Sequence, residues 1–207
     1  SIAPPPEKKW KLKGLFGLNG TQSSFVNWNA GGRNNLSVIS FISASADYKK
    51  NKWQWKNNLE LALGGMLYLD KEGRDGGLQK TDDKIDFATN VGYKMADQWY
   101  LSIVGGFKTQ FLDGFAYPND SVRVSTFMAP GYANFAIGID YTPNTNFSLF
   151  VSPLASKMTF VLDDTLANRG AFGVQNATFS TNGDVISKSK GFRGEIGAYI
   201  RMTYNKE

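Results

Sequence analysis

The sequence predicts an all-β fold, an antiparallel up-and-down transmembrane β-barrel, from three observations. Side-chain character alternates with a period of two along most of the chain, connections alternate strictly between short and long, and Trp and Tyr gather beside the short ones. Almost nothing keeps a 3.6-residue period long enough for a helix. With a mean hydropathy of -0.32 and no apolar run of about 18 residues, the chain offers no transmembrane helix, which leaves transmembrane strands open.

Eight strands are predicted: Trp10 to Phe25, Asn34 to Tyr48, Trp53 to Leu69, Thr81 to Met95, Trp99 to Phe111, Val122 to Tyr141, Phe147 to Thr159 and Phe192 to Tyr204. At about 13 residues or more apiece they exceed the ~5–6 of a globular sheet and suit a tilted membrane crossing of ~9–11 with overhang. Lys49 to Lys52, Ala96 to Gln98 and Thr142 to Asn146 are tight turns rich in Asn, Asp, Lys or Pro. The other connections are long, the last running from about Phe160 to Gly191. Short turns on one side and long loops on the other is the layout of an outer-membrane barrel, whose turns are periplasmic. Pro130 and Pro153 interrupt the sixth and seventh strands, where a bulge or an early end to pairing is expected. The glycines inside the strands suit the curvature of a barrel wall.

Alternation separates two faces. The third strand sets Leu59, Leu61, Leu63, Leu67 and Leu69 against Asn58, Glu60, Ala62, Gly64 and Met66. On the polar face the predicted lumen residues are Lys84, Asp86, Lys94, Lys108, Asp140, Arg193, Glu195 and Arg201, joined by Lys11, Lys13, Glu60 and Gln110. Eight strands leave an interior that side chains can fill, so these groups are expected to pair as a charge lattice. The alternative is an anion-selective water column, which needs more strands.

A soluble sandwich shows the same period, and the placement of aromatics separates the two cases. Trp10, Tyr48, Trp53, Trp55, Tyr93, Trp99, Tyr141 and Tyr204 all stand beside the short turns, with Tyr100 and Phe147, so that strand after strand adds a ring at one height. Amphipathic rings settle at the headgroup level of a bilayer, and this set reads as an aromatic girdle. A second ring of Phe25, Tyr68, Phe111, Phe127, Phe160 and Phe192 is expected at the loop side.

The chain contains neither His nor Cys, which excludes Ser-His-Asp and Cys-His catalysis, His-ligated zinc, thiolate metal sites and disulfides. No catalytic residue, cofactor or metal site is predicted, and the chain is read as not an enzyme. The 23 Lys and Arg against 18 Asp and Glu give a net charge of +5, too small an excess for a nucleic-acid partner without a helical basic stripe or zinc spacing. Asp70, Glu72, Asp75, Asp82, Asp83 and Asp86 gather oxygen ligands of the kind calcium takes, but off the EF-hand spacing, and read first as a solvated acidic loop. Gly73 to Gly77 and Ala30 to Arg33 lack the Gly-Lys-Ser/Thr ending of a phosphate loop and read as turns.

Five strings occur in order: Phe25-Val26-Asn27-Trp28-Asn29-Ala30-Gly31-Gly32, Lys80-Thr81-Asp82-Asp83-Lys84-Ile85, Phe107-Lys108-Thr109-Gln110-Phe111, Met128-Ala129-Pro130-Gly131-Tyr132 and Ser152-Pro153-Leu154. Together they resemble a family of uncharacterised outer-membrane β-barrel proteins of the Bacteroidota, a domain of unknown function with an Asn-Trp-x-Ala-Gly-Gly motif. The likeness runs from about Trp10 to Tyr204 and brings no catalytic residues. The resemblance implies relatives that continue through several more strands, so the visible eight either close, with Phe192 to Tyr204 against Trp10 to Phe25, or form part of a ten- to twelve-stranded barrel.

The expectation is therefore a periplasmic N-terminal lead over residues 1–9, a short polyproline stretch at Pro4 to Pro6 following removal of a signal peptide, and a barrel over residues 10–207 in the cell outer membrane. The expected role is a structural or accessory subunit that presents external loops to a partner protein of a membrane complex or to lipopolysaccharide, with outer-membrane lipid around it. A porin-like passive channel or small-solute transporter is the alternative.

Overall fold

The structure, a computed structural model, describes residues 9–26, 32–69 and 77–205. Three features predicted from sequence lie outside these residues: the Pro4 to Pro6 lead, the Asn27 to Gly31 part of the Asn-Trp string, and the Asp70, Glu72 and Asp75 carboxylates with Gly73 to Gly76.

Period-two segments become strands. In chain order they are β1 (Trp10–Ser23), β2 (Asn35–Lys50), β3 (Trp53–Tyr68), β4 (Leu78–Ala96), β5 (Trp99–Thr109), β6 (Gly114–Phe115), β7 (Arg123–Ser125), β8 (Gly131–Tyr141), β9 (Phe147–Phe160), β10 (Thr178–Phe179), β11 (Val185–Ser187) and β12 (Phe192–Tyr204). One short helix, α1 (Asp164–Asn168), and a single 3-10 turn at Ala171–Gly173 complete the elements. Eight of the strands form one antiparallel sheet in the order β1-β2-β3-β4-β5-β8-β9-β12, each next to its neighbour along the chain, while β6–β7 and β10–β11 are small hairpins inside the loops.

Local chemistry ends the strands where the turns were expected. Asn51 and Gln98 take left-handed backbone angles of 54° and 69° in φ, which lets two-residue hairpins close between β2 and β3 and between β4 and β5. Between β8 and β9 the Asn144 side-chain oxygen accepts from the backbone N–H groups of Asn146 and Phe147, each at 2.9 Å.

Two expectations about connectivity need correction. The predicted strand Val122 to Tyr141 is two strands, because Thr126 and Ala129 bond to each other across a tight turn with Met128 at a φ of 56°, and pairing in the main sheet starts only after Pro130. Arg123–Ser125 pairs instead with Gly114–Phe115. Of the two alternatives left open for the eight strands, their closure on one another is not what the structure shows. Among the described residues β1 pairs only with β2 and β12 only with β9, so the sheet is open and both strands are edges.

Although open, the sheet is sheared and curled. The line of partners from Trp10 passes through Tyr48, Trp55, Val91, Ile103, Ile137 and Leu154 and meets β12 between Gly197 and Tyr199. Measured from the turn-side ends of the strands, that line climbs about one residue per strand, which at ~3.3 Å rise and ~4.8 Å spacing corresponds to a tilt of roughly 35°. Curvature shows in the recess on the polar face, which Glu60 of β3 and Arg201 of β12 both line with four strands between them.

Pro153 produces the expected bulge. β9 is an interior strand, and a residue without N–H breaks the ladder, so both neighbours shift register there: between Ile137 and Ile139 in β8, and between Gly197 and Tyr199 in β12. The fully buried Ser152 hydroxyl sits 2.7 Å from the carbonyl oxygens of Ile137 and Leu154 and repairs the gap. Gly138 faces the bulge, where a Cβ would meet the Val151 carbonyl oxygen at 2.2 Å. Backbone cannot yield as a side-chain tip can. Gly138→Ala is expected to destabilise the protein by about 1–3 kcal/mol through overpacking, read as a lowered unfolding midpoint in denaturant, whereas Gly14→Ala, which meets nothing within 4 Å, leaves the midpoint nearly unchanged.

Candidate functional site

Register carries one chemical character across all eight strands. Leu12, Ile42, Leu61, Phe87, Ile103, Ile137, Val151 and Ile200 all fall on one face. This face is convex and uncovered: Leu12 is 74% exposed and Ile200 68%. Only eight hydrophobic residues of the described chain are buried, several of them in the loops, so the sheet's apolar side chains do not form a core with one another.

The other face is polar and concave. All eight predicted lumen residues lie on this parity, within strands β4, β5, β8 and β12. One rung runs Ser43, Glu60, Asp86, Lys108. Two carboxylates side by side would repel. Lys108 Nζ bonds Asp86 at 2.9 Å and Lys84 Nζ bonds Glu60 at 2.5 Å, which builds a four-membered charge lattice. Arg193 pairs with Glu195 on its own strand at 2.7 Å. Arg201 lies over the Phe150 ring at 5.7 Å, and Thr142 donates to Asp140 at 3.3 Å. Lys94 departs from the expected lattice: it pairs with Asp97 in the β4–β5 turn at 2.7 Å, because the strand ends two residues beyond it.

Two recesses of about 650 and 660 Å³ occupy the concave face. They share Asn58, Ala88, Val104 and Arg201, and extend from Glu195 and Lys157 down to Asn144 and Asn205 at the turns.

The eight predicted girdle residues fall on the convex face at the turn end. Trp10 stacks obliquely on Tyr48 and Trp55 with centroids 5.0 and 5.6 Å apart; Trp53 meets Tyr93 at 4.9 Å and Trp99 meets Tyr141 at 4.5 Å. Tyr204 stands opposite Phe147. Trp53, Trp55 and Trp99 remain 52%, 42% and 45% exposed. At the loop end, Phe160 and Phe192 are partners with rings 5.3 Å apart, but Tyr68 has the polar-face parity, opposite Asn35, under the Arg33 guanidinium.

Sequence reasoning missed the organisation of the loops. Ala129, Val161, Leu166, Ala167 and Val174 form a buried cluster there, with Ala171 and Phe172 against it. Asp163 caps α1 by accepting from Leu166 N–H at 2.9 Å and also binds Arg123, which reaches Asp113 at 3.3 Å. Asp83 is used similarly: it has the apolar-face parity, yet its carboxylate accepts from Phe111 N–H, Leu112 N–H and Lys80 Nζ and is 3% exposed. Of the cluster's described members, Asp83 holds a loop and Asp86 pairs with Lys108, and the described residues contain no group of three candidate metal ligands. The Asp163-x-x-Leu166 cap was the one readable signal for α1.

The Thr126 hydroxyl and then Arg123 hold the Asp113 carboxyl below the usual carboxylate range. A group depressed in the folded state contributes stability above its unfolded pKa and loses it as pH falls through the folded one. Acidification below about pH 4 is therefore expected to loosen the loop assembly before the sheet, seen as faster amide exchange at Thr126 and Arg123 with β8 and β9 unchanged. Asp113→Asn is expected to abolish that pH step.

A family model described as a protein of unknown function (DUF3078) matches residues 21–115, from the end of β1 to β6. No curated protein matches the chain. No solved structure matches it.

Proposed function

We propose that the chain is an integral outer-membrane β-barrel protein, a structural or accessory subunit whose folded external loops are presented to a partner protein or to lipopolysaccharide. The observation that carries this reading is the uncovered apolar convex face, continuous over eight registered strands and edged at the turn end by Trp and Tyr. In water a surface of this extent would drive association. In hydrocarbon it is the ordinary outer surface of a barrel wall, and the charged face then turns to the interior.

Hydrocarbon also forbids unpaired backbone groups, so the edges of β1 and β12 must be satisfied in a membrane. The two strands run antiparallel to each other, so closure requires either direct pairing or an even number of intervening strands, as in a barrel of ten or twelve. The loops supply the working surface in this reading, because their own buried cluster and the Asp113–Arg123–Asp163 network give them a defined shape.

A second reading, a passive channel, draws on the two recesses that share lining residues along the concave face. The charge lattice weighs against it by occupying the same space.

The membrane reading predicts that the native protein is extracted only with detergent and that Ile137→Arg, on the convex face, lowers the stability of the lipid-reconstituted protein by about 2–4 kcal/mol. Recovery in buffer without detergent, or an unchanged unfolding midpoint, would reject it. In planar bilayers the accessory role predicts no stable conductance. A channel would instead conduct, and Lys84→Glu with Lys108→Glu would shift its selectivity toward cations.

A further inference from the structure

Near the loop end the convex face carries a recess of about 550 Å³ that the charge lattice and the loop platform do not use. Its walls are Leu36, Val38, Leu63, Leu67 and Leu78, and its floor is the backbone at Gly65, opposite Val38. The register shifts between Gly64 and Gly65 there, and a Cβ at Gly65 would meet Leu78 Cδ1 at 3.0 Å. The segment after β5 folds outward over this place and roofs it with Leu112 and Tyr117. That overhang is fastened by polar groups: Lys80 Nζ donates to the Leu112 carbonyl at 2.9 Å and to Asp83, and Lys80 N–H donates to the Tyr117 hydroxyl at 3.3 Å. The recess is thus apolar along its walls, closed by a neutralised charge pair at the loop end, and continuous with the exposed apolar face toward the middle of the strands.

We infer that this recess holds one acyl chain of a membrane lipid, with the lipid's polar end at the loop end of the recess. The inference rests on the membrane reading above and names a specific place for lipid within it. Water does not fill an apolar recess of this lining, since it would find too few polar partners. An empty recess would forfeit dispersion contacts on all its walls. In a bilayer the medium adjoining the open side is hydrocarbon, which leaves an acyl chain as the occupant. The roof distinguishes this chain from its neighbours: Leu112 and Tyr117 cover it from the solvent side, so it is held between protein surfaces.

The test uses vesicles of phosphatidylethanolamine and phosphatidylglycerol with a diazirine on one acyl chain. The full chain is reconstituted, irradiated, and its cross-linked residues are mapped by mass spectrometry. Expected are adducts on Leu112 or Tyr117 as well as on Ile137 and Val151 of the convex face, with the Leu112 and Tyr117 adducts reduced at least tenfold by Gly65→Phe and by Val38→Phe while those on Ile137 and Val151 persist. Two fillings from different strands guard against one of them misfolding. Adducts on Ile137 and Val151 with none on Leu112 or Tyr117 would overturn the recess and leave the membrane reading standing. Adducts on Leu112 and Tyr117 that survive both fillings would overturn it equally. Adducts nowhere would overturn the membrane reading together with it.

Discussion

Register is the constraint on which the rest of this structure depends. Side chains alternate strictly along a strand, so slipping any one strand by a single residue would turn Leu59, Leu61 and Leu63 toward Glu60's place and expose Glu60 where the apolar face runs. Each of the six interior strands is held against that slip on one side by a short turn. Asn51 and Gln98 are in the left-handed region, and Asn144 folds its own side chain over the backbone, so three hairpins are pinned within a few residues. The long loops on the opposite end are then free to vary without disturbing the pairing. Register shifts at Thr81 of β4 and at Pro153 of β9, and in both cases the partner strand faces the disturbance with glycine: Gly64 and Gly65 in one, Gly138 in the other. A third shift lies beside the turn, between Lys94 and Ala96.

Much of this was legible in the sequence because a period of two is a backbone property that tertiary context seldom overrides. All eight long strands were located, and Phe192–Tyr204 to the residue, since Arg193, Glu195 and Arg201 alternate there with Phe192, Ile196, Ile200 and Met202. The sixth strand was read too long. Arg123 to Ser125 alternates as well as Gly131 to Tyr141 does, and nothing local says that Thr126 and Ala129 will fold onto each other and divert the first segment into a hairpin with Gly114–Phe115. The loop from Phe160 to Gly191 hid a helix of only five residues whose buried residues pack with Val174 of the same loop and with Ala129, which precedes β8 and β9 in the chain. Lys94 has the parity of the charge lattice it was expected to join but pairs outside it, because a long side chain two residues from a strand end reaches the carboxylate in the turn, here Asp97. The openness of the sheet was beyond pattern reading altogether, since alternation looks the same in an edge strand and an interior one.

The edges and the faces pose the same physical question from two directions. β12 is exposed along its entire length, on its apolar side, its charged side and its outer backbone edge at once. β1 is nearly so, with Lys11 and Lys13 alternating with Trp10 and Leu12. A long flat edge of this kind in water is an association hazard that soluble proteins blunt with proline, bulges or inward charges placed along the edge. Here the charges alternate toward one face only, the face that the recess shows to be concave. They continue the pattern of the interior strands, so β1 and β12 carry the same alternation of charged and apolar positions as the strands between them.

Two markers on one strand set the scale of that wall. Tyr93 near the turn end of β4 belongs to the aromatic band with Trp53, and Asp83 near the loop end is the first carboxylate with apolar-face parity. Asp83 is not left bare there: Lys80 and two backbone N–H groups of the overhanging segment satisfy it. Between the two markers this face carries Ile85, Phe87, Thr89 and Val91, and the single hydroxyl among them accepts from Trp55 Nε1 and donates to Asn57. Ten residues at ~3.3 Å rise and a tilt of roughly 35° give a height near 27 Å, against about 25 Å for the apolar band of an outer-membrane barrel. In the proposed reading the satisfied carboxylate and the band of indole and phenol rings mark the two levels between which this face is apolar. The spacing supports the proposed membrane reading, with the loop network beginning where the charged groups do.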